Sequence, residues 1–258
     1  MKKVNEPYAG FAGIYDQVMC GVDYDSWADY VEQLLDRFAK KPRSLVDLAC
    51  GTGSSTLPFA GRGYQVAGVD LSAAMLTQAR LKAARENLDV AFYQSDLCLL
   101  ELPEKYDLAL LFQDGLNYIL SEQQLEQALL KVYAVLNPGA LFIFDLTRPR
   151  LRAGDEDSNV CWADAEDFVL IWETGYCSKE NLWSVLLTVF SRTDSGLFKK
   201  FQEQHQEKDY EPDLIINLLD KTGFSLLGLY PTFSLEPTNG SEQKLTFVAE
   251  KVQGAGPY

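Results

Sequence analysis

The chain has 258 residues, 47% of them hydrophobic and 23% charged. These are ordinary values for a globular protein, and they exclude a disordered, collagen-like or coiled-coil chain. The length suits one large domain, or one with an elaboration, and buries a sizeable core without staples. The formal net charge of -14 repels phosphate backbones and speaks against a nucleic-acid partner. Residues 1–150 carry 14 basic and 19 acidic side chains, net -5, and the shorter remainder carries 9 and 18, net -9. A ligand docking on that second part is expected to be neutral or cationic.

The five cysteines, Cys20, Cys50, Cys98, Cys161 and Cys177, form no Cys-x-x-Cys pair, and the chain has one histidine. That pattern speaks against a zinc site and fits a reducing compartment. Lys2 and Lys3 are followed by Asn5, Glu6 and Pro7, where a signal peptide would be apolar. No apolar run approaches the roughly 20 residues that span a bilayer. A cytoplasmic protein with no membrane partner is the expectation.

Residues 8–40 read as two helical stretches. In the second, Trp27, Tyr30, Val31, Leu34, Leu35 and Phe38 recur at three- and four-residue spacing, with Asp25 or Ser26 as cap. After Pro42 a strand–helix alternation begins. Ser44–Ala49 is a strand, Cys50–Ser54 a Gly-rich turn, and Ser55–Ala60 a helix stopping at Gly61 and Gly63. Gln65–Leu71 is the second strand, Ser72–Arg85 a helix capped by Ser72, and Val90–Gln94 the third strand. Tyr106–Phe112 is a fourth strand, apolar enough to be covered on both faces. Ser121–Leu136 is a helix with Asn137-Pro138-Gly139 as its stop, and Ala140–Leu146 a fifth strand. The alternation breaks after Pro149. Residues 160–210 alternate apolar and polar positions about an Asp194-Ser195-Gly196 turn, the pattern of an antiparallel insert. A helix at Pro212–Lys221, stopped by Gly223, and strands at Phe224–Tyr230 and Lys244–Glu250 complete the chain. The fold class is α/β: a doubly wound, mostly parallel seven-stranded sheet with an antiparallel β insert after the fifth strand. The expected organisation is a helical lid at 1–43, an α/β core at 44–149, the insert at 150–210, and core-completing elements at 211–258.

Three signals fall at the ends of the first three strands. Val46-Asp47-Leu48-Ala49-Cys50-Gly51-Thr52-Gly53-Ser54 runs from a strand through Gly-x-Gly into a helix, whose N-terminus favours an anionic group. Alone, the tripeptide serves equally as a tight turn without a ligand. Asp70 ends the second strand, 17 residues past Gly53, where a carboxylate accepts both hydroxyls of a ribose. The competing role, capping the next helix, is already met by Ser72. Gln94-Ser95-Asp96-Leu97 follows the third strand, and Asp96 is either an acceptor for an adenine amino group or a solvated loop acid.

With these segments the sequence resembles the class I S-adenosylmethionine-dependent methyltransferases. The resemblance rests on Asp47-x-x-Cys50-Gly51-Thr52-Gly53, on Gly68-Val69-Asp70-Leu71-Ser72 with Met75, and on Asp96-Leu97. It covers Ser44 to about Leu146. Tyr8-Ala9-Gly10-Phe11-Ala12-Gly13-Ile14-Tyr15-Asp16 also looks like the lid segment of small bacterial members. The resemblance implies a Rossmann-like methyltransferase sheet with S-adenosylmethionine as cofactor and S-adenosylhomocysteine as product. It places Asp47, Ala49, Gly51 and Gly53 around the methionine part. Asp70 is placed on the ribose, Leu71 and Met75 along the adenosine, and Asp96 and Leu97 about the adenine. Leu111, Phe112 and Gln113 would lie beside the sulfonium, with Tyr8 and Tyr15 closing the site. A dinucleotide oxidoreductase is the competitor, but its fingerprint wants a third glycine where Thr56 stands.

Asp114, Asn117 and Tyr118 form a polar cluster at the open end of the sheet. Asp114 is a candidate base, and Asn117 and Tyr118 are candidate acceptor contacts, against an ordinary Asx turn and helix entry. Asp114 and Asn117 alone are too few ligands for a magnesium shell, so no metal is expected. His205, the single histidine, is a second candidate for catalysis because imidazole titrates near neutrality. Trp172 is a candidate pocket wall, against core packing of the insert. No Asn/Asp-Pro-Pro-Tyr segment, Pro-Cys dipeptide or basic cluster is present, which leaves a small-molecule acceptor as the expectation. The alternatives are an RNA or protein acceptor, and a cofactor-binding regulatory module without turnover.

Overall fold

The computed structural model describes residues 7–148, 159–193 and 195–252. A seven-stranded sheet carries the fold, in the order β10-β11-β5-β4-β1-β2-β3. Its strands are β1 (Ser44–Leu48), β2 (Gln65–Asp70), β3 (Val90–Gln94), β4 (Tyr106–Leu111), β5 (Leu136–Thr147), β10 (Phe224–Pro231) and β11 (Lys244–Lys251). β1 pairs in parallel with both β2 and β4, so the chain order reverses between β1 and β4. Such a reversal opens a crevice beyond the C-terminal strand ends, where open α/β sheets take their ligands. β11 alone runs against its neighbours β5 and β10.

Both faces of the central strands β1, β4 and β5 are dry. Along β1, Val46 and Leu48 point into one cluster with Phe142, Phe144 and Phe247, and Leu45 points into the other with Leu108, Ile143 and Val248. A period-2 backbone with apolar side chains on each face requires helices on both sides. α5 (Glu122–Val135) and α6 (Pro212–Lys221) supply one, through Leu125, Leu129, Ile215 and Leu219. α2 (Tyr24–Arg37) supplies the other, through Trp27, Val31 and Leu34, beside Phe59 of α3 (Leu57–Gly61). α4 (Ala73–Glu86) packs against β2 and β3. α2 is therefore a layer of the core rather than of a lid. Its cap is Asp23, whose carboxylate accepts the Ser26 N–H at 3.0 Å, not Asp25 or Ser26. Asn137-Pro138-Gly139 does not form a loop between α5 and the next strand. It lies within β5, where the register against β4 shifts between Tyr106 and Leu108.

The insert is a separate antiparallel sheet, β6 (Asn159–Asp164), β7 (Phe168–Cys177), β8 (Leu182–Arg192) and β9 (Phe198–Lys208), in sequence order. The 149/150 boundary and the turn residue Asp194 lie outside the described residues. One face of this sheet, with Phe168, Leu170, Leu187 and Val189, packs on Phe11 and Ile14 of the N-terminal segment. That segment holds a 3-10 turn at Phe11–Gly13 and the short helix α1 (Tyr15–Val18). It thus bridges the insert and the strand ends of the core.

Candidate functional site

The first wall of the crevice is the turn after β1. Ala49, Gly51 and Gly53 all take positive φ, at 53°, 56° and 79°. For alanine that conformation costs about 1 kcal/mol or more, a strain that clusters at ligand sites. A Cβ on Gly53 would press on Ala79 of α4 at 3.1 Å, whereas beside Gly51 there is open space. Gly53 serves helix packing, and Gly51 leaves room for a ligand against its backbone. Asp70 clamps this turn to the end of β2: one carboxylate oxygen accepts the Gly51 N–H and the other the Ser72 N–H, each at 2.8 Å. Each oxygen keeps a further lone pair for a ribose hydroxyl. Burial pushes the Asp70 carboxyl upward, opposed by these backbone donors. Asp47 is buried beneath the turn, where it accepts the hydroxyls of Ser55 at 2.8 Å and Thr56 at 2.6 Å. Burial raises its carboxyl to about 6. Thr56, standing where a dinucleotide fold wants glycine, is thus the donor that holds Asp47 in place.

Met75 is buried at the start of α4, whereas Leu71 is 66% exposed. Asp96 is exposed and accepts the Cys98 N–H at 2.8 Å, capping a 3-10 turn that begins at Leu97. Leu71, Asp96 and Leu97 follow the C-terminal ends of β2 and β3, and with Asp70 and the open flank of Gly51 they are a set that fits S-adenosylmethionine.

The opposite wall is the loop after β4. Leu111 and Phe112 are buried, and Gln113 and Asp114 both take positive φ, at 62° and 65°. Asp145 of β5, wholly buried, holds this backbone by accepting the N–H groups of Gln113 at 3.0 Å and Asp114 at 3.1 Å. Lys244 of β11 lies 3.0 Å from carboxylate oxygens of both Asp145 and Asp114. Its ammonium also faces the Trp27 ring, 5.5 Å from the centroid. Burial raises the Asp145 carboxyl and Lys244 opposes it. Burial lowers Lys244, but the two carboxylates win and hold it above the ordinary lysine range. Asp114 is further engaged by the Thr147 hydroxyl. Both bonds fall on the same Asp114 oxygen, Oδ1, which anchors the carboxylate beside Lys244 and Thr147.

Asn117 corrects the sequence reading. It is wholly buried, donates to the carbonyls of Thr147 at 2.7 Å and Lys208 at 2.9 Å, and accepts the Thr147 N–H at 3.1 Å. With both donors committed, it staples the β4 loop to β5 and to the end of β9, and has no proton to offer an acceptor molecule.

The roof is the N-terminal segment. Glu203 of β9 is wholly buried and accepts the N–H groups of Tyr8 at 2.8 Å, Gly10 at 2.5 Å and Phe11 at 3.0 Å. On the core side, Asp16 accepts the Thr52 hydroxyl at 2.6 Å and lies 2.6 Å from Lys82, and Ser72 donates to the Tyr8 carbonyl at 3.2 Å. Tyr8 and Tyr15 meet edge to face at 5.9 Å. Tyr8 shares a 2.7 Å hydrogen bond with Tyr118, and Tyr118 a 3.0 Å bond with His205 Nδ1. Burial pushes both the Tyr8 and Tyr118 phenols far up, so they are neutral. Trp172 packs against the apolar cluster under this roof. The structure therefore brings together Tyr8, Tyr15, Tyr118, His205, Asp70 and the β4 loop. Asp145, Lys244 and Glu203 are the participants the sequence reading missed. A lone carboxylate in the apolar run Phe142–Leu146 was a visible signal for Asp145; nothing local marked the other two.

An open cleft of about 710 Å³ lies elsewhere, between the start of α2, α3 and α4, and reaches the glycine turn only at Ser54. Among the described residues no cluster of His, Cys, Asp and Glu has the arrangement of a metal site, and no helix is long and apolar enough to cross a membrane.

Comparison with known proteins agrees with this geometry. Residues 45–139 match the family described as a methyltransferase domain. A protein of Geobacillus sp. (strain WCH70), provisionally named a methyltransferase, is 29% identical over 95% of this chain and 99% of its own. The crystal structure of an S-adenosylmethionine-dependent methyltransferase from Clostridium acetobutylicum superposes with a TM-score of 0.82 at 26% identity, covering 94% of this chain and 98% of that one. The dTDP-3-amino-3,4,6-trideoxy-alpha-D-glucopyranose N,N-dimethyltransferase of Streptomyces venezuelae is 27% identical over 52% of this chain and 56% of its own.

Proposed function

We propose that this chain, a small class I S-adenosylmethionine-dependent methyltransferase, methylates a small cytoplasmic molecule held between the strand ends and the insert. The observation that carries this reading is the roof: the N-terminal segment is tied on one side to the glycine turn and on the other to β9. A crevice closed over both reactants excludes water and fixes an acceptor in line, but offers no open track for a polymer. The net charge of -14 supports the same choice against RNA, and the amino-sugar methyltransferase relative supports a small acceptor.

When bound, the cofactor supplies an electrophilic methyl on a sulfonium. The chain's own contribution is placement. Asp70 holds the ribose, Asp47, Ala49, Gly51 and Gly53 shape the turn around the methionine part, and Asp96 and Leu97 frame the adenine. Asp145 and Lys244 fix Gln113 at the transfer point, and Tyr8, Tyr15 and Tyr118 roof the acceptor. The test is incubation of the protein with methyl-labelled S-adenosylmethionine in a cell extract, followed by separation by size. Label in the small-molecule fraction is expected; label confined to RNA or protein overturns the small-acceptor reading.

A further inference from the structure

Along β9 the side chains of Glu203 and His205 share the face that looks at the roof, opposite Leu187 and Val185 of β8. His205 is 3% exposed. Its Nδ1 faces the Tyr118 hydroxyl at 3.0 Å. Its Nε2 is buried with no hydrogen-bond partner and lies 3.6 Å from a Glu203 carboxylate oxygen. A proton on Nε2 points at that carboxylate in both the neutral Nε2–H tautomer and the imidazolium, and the attraction grows when the ring is charged. Tyr118 links this imidazole to the loop after β4. Its oxygen bonds Tyr8 as well, and a phenol oxygen with two lone pairs has capacity for one more donor.

We propose that the acceptor is an amine that arrives as an ammonium, and that His205 takes its proton through the Tyr118 hydroxyl. The proposal rests on the methyltransferase reading above and names the acceptor class. The ammonium N–H gives its proton to the Tyr118 oxygen as the Tyr118 hydroxyl proton moves to His205 Nδ1. His205 becomes an imidazolium whose Nε2–H faces Glu203. The freed nitrogen lone pair forms the new N–C bond to the sulfonium methyl, and the C–S bond breaks with its electrons to sulfur, leaving a neutral thioether and a methylated ammonium. His205 returns one proton to solvent when the roof opens. Ammonium and sulfonium otherwise repel, so unloading the proton before transfer removes a charge conflict as well as restoring the nucleophile.

The surrounding groups fit this direction. Burial raises the Glu203 carboxyl, but His205 and the Gly10, Phe11 and Tyr8 N–H groups outweigh it and hold the carboxyl below its ordinary range, so it remains an anion. Glu207 of the same strand, Asp114 of the β4 loop and Tyr15 of the roof also face Tyr118. The charged groups among these are acidic, which favours a cation entering and stabilises the imidazolium that receives its proton. The relay gives the role of base to His205, while Asp114 is held beside Lys244, which it shares with Asp145.

With a single histidine in the chain, ¹⁵N NMR reads this imidazole without overlap and without an acceptor. The expected state is the neutral Nε2–H tautomer, with Nδ1 as acceptor from Tyr118, and Tyr118→Phe shifts the Nδ1 resonance. An Nδ1–H tautomer overturns the relay, because that nitrogen then has no lone pair to receive the proton. In the second arm, methyl-¹³C S-adenosylmethionine is supplied to the protein in cell extract. Label in N-methyl carbons is expected; O- or C-methyl signals overturn the amine assignment. His205→Gln is expected to lower the initial rate about 100-fold below the amine's own titration and to converge on wild type at pH 10. A loss that is the same at every pH assigns His205 a structural role and overturns the proposal. Calorimetry with S-adenosylhomocysteine on the same samples separates the failures. Absent binding defeats the methyltransferase reading, whereas intact binding with the wrong tautomer defeats the relay alone.

Discussion

Lys244→Met isolates the buried charge cluster behind the transfer point. The ammonium lies 3.0 Å from both Asp145 and Asp114, and Asp145 is wholly buried. Methionine preserves most of the stem but removes the cation that lies 3.0 Å from Asp145. Removing one partner of a buried pair costs about 3–5 kcal/mol, because the remaining charge has no compensation. Lys244 is partly exposed, so the lower figure applies, and for a domain of this size ~3 kcal/mol lowers Tm by about 6–12 °C. The sign with pH follows from Asp145. Its folded-state carboxyl is already raised by burial, and losing Lys244 raises it further. A raised carboxyl binds its proton in the folded state first, so stability is greatest in acid and falls as pH climbs through the folded value. The variant is therefore closest to wild type near pH 5 and farthest at pH 8. Thermal and urea unfolding at both pH values measure this, together with Lys244→Met/Asp145→Asn. The double variant regains much of the loss, because a neutral amide can stay buried and still accept one of the Gln113 or Asp114 N–H bonds. A Tm drop under about 2 °C, or a double variant no more stable than the single one, refutes the argument.

Other consequences are more local. Asp47→Asn gains relative to wild type by about 2 kcal/mol between pH 4 and pH 7, since a carboxyl held near 6 in the folded state costs stability once both states would ionise; urea midpoints across that range check it, and a pH-independent difference contradicts it. Glu203→Ala frees three N–H groups of the roof, so amide exchange at Tyr8, Gly10 and Phe11 quickens at least tenfold while exchange in β4 and β5 is unchanged. Lys82→Met removes the ion pair to Asp16 and the bonds to Thr52 and Ser54. The pair is partly exposed, so Tm moves by no more than a few degrees, but exchange at α1 rises; protection equal to wild type contradicts the latch.

The fold was legible because its signals are local. The apolar runs of β1, β4 and β5 each announce a strand covered on both faces, and Ser72 and Ser121 cap the helices they were expected to cap. The misplacements have the same origin. Asp23, Asp25 and Ser26 are all competent caps, and only backbone geometry selects Asp23. Asn137-Pro138-Gly139 carries every feature of a helix stop, and the chain does leave the helix there, yet it enters the sheet at once through an irregular register. At the site, the turn after β1 and Asp70 were readable because residues within 20 positions make the geometry. Lys244 was not, since it meets Asp114 across 130 residues. Glu203 was likewise hidden, an acid in a polar strand whose burial exists only because the N-terminal segment closes over it. Asn117 misled for the opposite reason: a polar residue in a loop at the open edge looks like a ligand contact until its three backbone partners are placed.

The claim beneath all of this is that the strand-end crevice, with Asp70 at its rim, holds the methyl-donor cofactor. Calorimetric titration of wild type and Asp70→Ala with S-adenosylhomocysteine, with NAD as control, tests it most directly. The account predicts saturable binding of S-adenosylhomocysteine to wild type, none of NAD, and about 100-fold weaker binding to Asp70→Ala from two lost hydrogen bonds to a charged group, with the melting transition still cooperative. Unchanged affinity in Asp70→Ala, or binding of NAD in place of S-adenosylhomocysteine, contradicts it.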